Sequence, residues 1–118
     1  MRDIVLCHCE ECRRANGYVG AYTSTLAGDL VILAGDSLRW IDSPQSDRSA
    51  RRGFCVACGS SLFWQPAGGE RIHVAAGTLD RPTGLRIAGH WYTHHAGDYD
   101  ELLDDELPDP AVTDIRWS

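Results

Sequence analysis

Five cysteines gathered in two clusters constrain this chain more than any other feature. Cys7, Cys9 and Cys12 form a C-x-C-x-x-C run, and Cys55 and Cys58 form a C-x-x-C pair followed at once by Gly59. A chain of 118 residues buries roughly two-thirds of its unfolded surface on folding, so a single apolar core holds without cross-links. An odd number of cysteines also cannot all pair within one chain. Thiol chemistry, not stapling, is therefore the reason for their presence. The N-terminus runs Met1-Arg2-Asp3 and then Ile4-Val5-Leu6 before reaching Cys7, which is not the pattern of an export signal. No stretch approaches the ~18 apolar residues of a membrane span. A cytoplasmic location is expected, where cysteines serve as metal ligands or nucleophiles more often than as disulfides.

The remaining composition is that of a soluble globular domain, with 43% hydrophobic and 24% charged residues; these values exclude a disordered or fibrous chain. The formal charge is −6, and it is concentrated at the end. Residues 98–118 carry eight acids against Arg116 alone. The body is near neutral and lacks the basic footprint of a nucleic-acid binder. All of the basic residues are arginine, a bias we read first as codon usage and second as suited to bidentate anion recognition.

Short apolar runs punctuated by glycine and proline at intervals of roughly ten residues predict a mostly β single domain. The candidate strands are Ile4–Leu6, Tyr18–Leu26, Leu30–Leu33, Leu38–Ile41, Ser61–Gln65, Arg71–Ala75 and Arg86–Tyr92. One short helix is expected over Glu10–Asn16, with acids first and arginines last as the helix dipole favours, and Gly17 stopping it. Ser43–Ala50 reads as a loop, and the acidic segment from Gly97 onward as an extended or loosely docked tail.

Zinc takes thiolates in a tetrahedron at about 2.3 Å, and C-x-x-C offers two from one tight turn. Gly59 permits the left-handed conformation such a turn requires. A closed structural site uses four protein ligands, whereas an open one uses three and leaves a position for water or substrate. Five thiols divide as three plus two, or as four plus one in a single zinc site. A thioredoxin-like redox pair at Cys55 and Cys58 finds no surrounding βαβ pattern, and burial as small hydrophobes suits the dense first cluster least.

The runs Cys7-His8-Cys9-x-x-Cys12-Arg13-Arg14-Ala15-x-Gly17, Arg52-Gly53-Phe54-Cys55-x-x-Cys58-Gly59-Ser60-x-Leu62-Phe63-Trp64 and Ala76-Gly77-Thr78-Leu79-Asp80 together resemble the glutathione-dependent formaldehyde-activating enzyme family, which also includes the domain of centromere protein V. The resemblance extends over about residues 4–108. It implies an Mss4-like fold of short antiparallel strands with zinc knuckles, and a catalytic zinc held by Cys7, Cys9 and Cys12. It also implies a structural zinc in which Cys55 and Cys58 are joined by an N-terminal C-x-C-G motif. The sequence starts six residues before Cys7 and lacks that motif, as a shortened member or one whose true start lies upstream. One zinc is accordingly expected, with an exposed sheet edge or a homodimer covering it.

The implied activity is that of a carbon–sulfur lyase, joining formaldehyde to glutathione as in S-(hydroxymethyl)glutathione synthase. Glutathione carries two carboxylates, so Arg13, Arg14, Arg51 and Arg52 are candidate clamps, against the plainer reading of surface arginines paired with Glu10 or Glu11. His8 is expected to point away from the metal. His73, His90, His94 and His95 read as satisfied polar residues, and Phe63, Trp64, Trp91 and Tyr92 as core. The competing reading of the whole chain is a non-catalytic zinc-stabilised binding module. Neither reading involves nucleic acid or a membrane.

Overall fold

Alternating side chains in short runs allow strands of four to seven residues, and the described residues build seven of them. The computed structural model describes residues 1–43 and 49–101. In chain order these form β1 (Ile4–Cys7), helix α1 (Glu10–Asn16), β2 (Gly20–Leu26), β3 (Leu38–Asp42), β4 (Arg51–Cys55), β5 (Ser61–Gln65), β6 (Arg71–Ala75) and β7 (Ile87–Trp91). All seven strands join one sheet in the order β3-β4-β5-β6-β2-β1-β7. Every pairing is antiparallel except β1 with β7, which run parallel. The architecture is the mostly β one expected from the sequence, with β3 and β7 at the sheet edges.

The parallel pair places the start and the end of the sheet side by side. Cys7 lies opposite Gly20 on one flank and Trp91 on the other. Because side chains alternate along a strand, Cys7 and Trp91 share one face, while Leu6 and His90 point to the other. Helix α1 follows two residues after β1 and turns back over the start of β2. Its acids, Glu10 and Glu11, stand in the first turn and its arginines in the last, as the macrodipole favours. Gly17 ends it in the left-handed conformation at φ 82°, its N–H donating to the Arg13 carbonyl.

Two expectations fail locally. Leu30–Leu33 is not a strand: it forms an open loop after the 3₁₀ turn Ala27–Asp29, with Val31 73% and Leu33 93% exposed. β2 is already flanked by β1 and β6, so an apolar run alone finds no ladder to join. Conversely, Arg51–Cys55 forms β4 between β3 and β5, although its two arginines and glycine suggest no strand. Gly53 suits this tightly packed position, where a Cβ would lie 3.1–3.2 Å from the Phe63, Leu38 and Trp40 side chains. Among the aromatic residues expected in the core, Trp64 and Trp91 are partly buried and Phe63 stacks on Trp40 at 5.8 Å. Tyr92 departs from the expectation: it is exposed, with φ 56°, at the turn that leaves β7. The loop expected over 43–50 and the acidic tail expected from Gly97 onward both lie partly outside the described residues, the tail from residue 102.

Candidate metal centre

The turn between β1 and α1 brings three thiols together. Cys7 closes β1, Cys9 caps the N-terminus of α1, and Cys12 is buried one turn further on. Their sulfurs all lie within 4.8 Å of one another, and the Cys12 N–H donates to Cys9 Sγ at 3.3 Å. Cys7, Cys12 and Tyr22 form a buried cluster against which Cys9, Trp64, Ala75 and Trp91 pack. Between the ligands, His8 is buried, and its backbone N–H donates to the Trp91 carbonyl at 2.8 Å. Its ring meets His90, with Nε2 2.9 Å from His90 Nδ1, and Nδ1 lies 3.9 Å from Asp100.

Thiols this close cannot all ionise unaided. Hydrogen bonds with Cys12 and Cys9, followed by burial, push the Cys7 thiol far up. Cys9, hydrogen-bonded by Cys12 and Cys7, is held down at about 2. For Cys12, the bond with Cys7 favours the thiolate, but Cys9 and burial prevail and raise it to about 11. A charge on one sulfur opposes ionisation of its two neighbours, and all three ionise together when a cation takes up their charge. Three soft sulfur donors converging from one turn fit a thiophilic divalent metal such as zinc.

Arg52 reaches this cluster from β4 and is itself buried. Its Nη2 donates to Glu11 Oε1 at 3.1 Å and to Cys12 Sγ at 3.6 Å, its Nη1 to Tyr22 OH at 3.1 Å, and its Nε to Ser43 Oγ at 3.2 Å. The guanidinium, expected as a clamp for a ligand's carboxylate, faces inward, and four of its five N–H donors have these partners. Arg14 pairs with Glu10 at 2.9 Å. Arg51 donates to Gln65 and lies 4.0 Å over the Trp40 ring. Arg13 is different: its Nε is buried with no hydrogen-bond partner among the described residues. Glu11, Ser43 and Tyr22 are parts of the site that sequence reasoning missed. Only Glu11 had a local signal, its place beside Cys12; Ser43 and Tyr22 arrive through the fold.

Cys55 and Cys58 stand apart from the three thiols. Cys55 ends β4, the Gly59 N–H donates back to the Cys55 carbonyl at 2.6 Å, and Gly59 takes φ 79°. Cys58 is exposed, with Sγ 3.1 Å from Ser60 Oγ, and that hydrogen bond draws its thiol below the ordinary range. No third His, Cys, Asp or Glu among the described residues joins this pair at metal-ligand spacing. His94 and His95 pack ring to ring at 4.2 Å beside Tyr92, and His73 meets Trp64 edge-on at 4.9 Å.

A mostly β sheet with a three-cysteine cluster at the junction of its first strand and first helix defines a class of domains whose gathered thiols are able to hold a metal ion. More specifically, the family model described as glutathione-dependent formaldehyde-activating enzyme matches residues 2–95, and the chain belongs to that family. No curated protein matches the chain. No helix among the described residues is long and apolar enough to cross a membrane.

Proposed function

We propose that the protein is a zinc-dependent carbon–sulfur lyase of the S-(hydroxymethyl)glutathione synthase type, which joins formaldehyde to glutathione or a related small thiol. The observation that carries this reading is the incomplete donor set. Among the described residues three sulfurs lie within 4.8 Å, one short of a tetrahedron, which is the donor set of an open site. A bound zinc would supply charge that keeps an incoming thiol deprotonated at neutral pH. In the net reaction the thiol sulfur forms a bond to the formaldehyde carbon, the carbonyl π bond breaks, and the thiol proton ends on the resulting hydroxyl.

The chain's own residues bind and orient. Trp64 and Trp91 pack against the cysteine cluster and shield it from water, which strengthens every charge interaction inside. Arg13, next to Cys12 and with a buried Nε lacking a described partner, is the arginine best disposed to take a glutathione carboxylate. Positioning of the two reactants is the main contribution, because their addition is chemically undemanding.

The test starts from freshly purified, reduced protein. It is expected to contain about one zinc per chain, lost in Cys9→Ser, and to bind glutathione in isothermal titration. Absence of stoichiometric zinc overturns the reading. Zinc without glutathione binding at millimolar ligand favours instead a metal-stabilised binding module.

A further inference from the structure

Arg52 is the least expected member of the site. A buried arginine is costly unless its charge and donors are matched, yet here a single nitrogen, Nη2, is shared between the Glu11 carboxylate at 3.1 Å and the Cys12 sulfur at 3.6 Å. Nη2 carries two N–H donors, and one goes to the Glu11 carboxylate and the other to the Cys12 sulfur. The sulfur contact sets a full positive charge directly against a cluster thiol, and this bears on the charge of the centre. Three thiolates around a divalent ion leave one net negative charge, and an anionic fourth ligand raises it to two. In a buried centre each added negative charge makes the next anionic ligand harder to take up, so a neutral ligand such as water competes better.

We infer that Arg52 sets the charge selectivity of this site, its buried guanidinium against Cys12 offsetting the excess negative charge so that the open position accepts an anionic sulfur. The inference rests on the open-site reading above and specifies which ligand class that site selects. The same guanidinium is tied to Tyr22 at 3.1 Å and Ser43 at 3.2 Å, which fix its plane and keep it from swinging toward solvent. Glu11 works against it: the carboxylate draws on the cation, but its side chain is 18% exposed against 10% for Arg52, so water screens it more. Arg52 is thus a positioning and specificity residue, acting on the fourth ligand through the first three.

Two variants move in opposite directions. With cobalt(II) in place of zinc, ligand exchange at the centre is followed by visible absorption, independently of turnover. Arg52→Gln is expected to weaken glutathione binding about 10-fold or more, the range typical of partners just outside a metal's ligand shell, while imidazole, a neutral ligand, binds as in the wild type. Arg52→Lys keeps the charge and retains part of the affinity. Glu11→Gln releases the guanidinium from its carboxylate and tightens glutathione binding. A purely structural role for the ion pair predicts instead that Arg52→Gln and Glu11→Gln both weaken glutathione and imidazole alike, and that result overturns the inference. So does equal glutathione affinity in Arg52→Gln and wild type. Should wild-type cobalt protein bind no glutathione at all, the open-site reading fails and this inference with it, an outcome distinct from binding that ignores Arg52.

Discussion

His8 occupies the position between two cluster cysteines, yet its ring leaves them for His90, 2.9 Å away. Burial comes first in lowering the pKa of His90 from its ordinary 6.5, followed by the neighbouring His8, with Asp100 opposing. A base held neutral in the fold stabilises it above its unfolded pKa. Below about pH 6.5 the unfolded chain takes up a proton that native His90 resists, so stability falls as pH drops from there toward the lowered native value. Denaturant midpoints measured from about pH 7 down to about pH 5 should therefore decline less steeply in His90→Asn than in the wild type. Acid release of a thiolate-bound metal is common to both proteins and cancels in the comparison. Parallel pH profiles would show that the ring bears no such penalty. At this scale the cysteine triplet was legible because a C-x-C-x-x-C run can converge through one turn. The His8–His90 pair was not, since its partners are 82 residues apart and meet only through the parallel pairing of β1 and β7.

Helix α1 matches its expected limits, Glu10 to Asn16, because charge order and a stop glycine are local signals that tertiary contacts did not override. Strands were less uniformly legible. Ser61–Gln65 and Arg71–Ala75 match as expected, whereas Leu30–Leu33 carried an apolar signal without a partner strand, and β4 had a partner without the signal. Arg52 in particular reads as a surface residue until the fold shows Cys12, Glu11 and Tyr22 around it. What holds α1 at its height over the sheet is Gly20, the residue paired with Cys7. A Cβ there would lie 2.5 Å from the Tyr22 ring and 3.1 Å from both Cys12 Cβ and Asn16 Nδ2. Gly20→Ala is accordingly expected to cost about 1–3 kcal/mol and to weaken metal binding by displacing Cys12. Gly28→Ala, with nothing within 4 Å of its added methyl, is the matched control and should stay within about 0.5 kcal/mol. Unchanged zinc affinity in a folded Gly20→Ala protein would show that the helix tolerates the shift.

Over the whole molecule, the described interior is thin. The apolar side chains buried in it are Val5, Tyr22, Ala50, Ile72 and Val74 beside the two cluster cysteines, while His8, Thr23, Ser24, Ser43, Arg52 and His73 are buried polar groups. Of the largest side chains that are fully buried, Val5 is apolar, but Thr23 and Ser24 are not. Apolar burial at about 25 cal/mol per Å² thus has less to act on than in a leucine-rich core, and buried hydroxyls contribute only modest net hydrogen bonds. The cysteine centre joins β1 to α1 and, through Arg52, to β4, so a metal bound there ties the first half of the sheet to the second. Linkage makes its removal a stability measurement: a metal present at 100 times its dissociation constant stabilises the native state by about 2.7 kcal/mol. A domain of this length shifts its Tm by roughly 4 °C per kcal/mol, between the values for smaller and larger domains, so metal chelation under reducing conditions is expected to lower Tm by about 10 °C, and readdition of zinc to restore it. Cys9→Ser should show the lower Tm from the outset and no response to chelator. A wild-type Tm indifferent to both chelator and added zinc would mean that the sheet stands without the metal and that the three thiols are not where its stability is gathered.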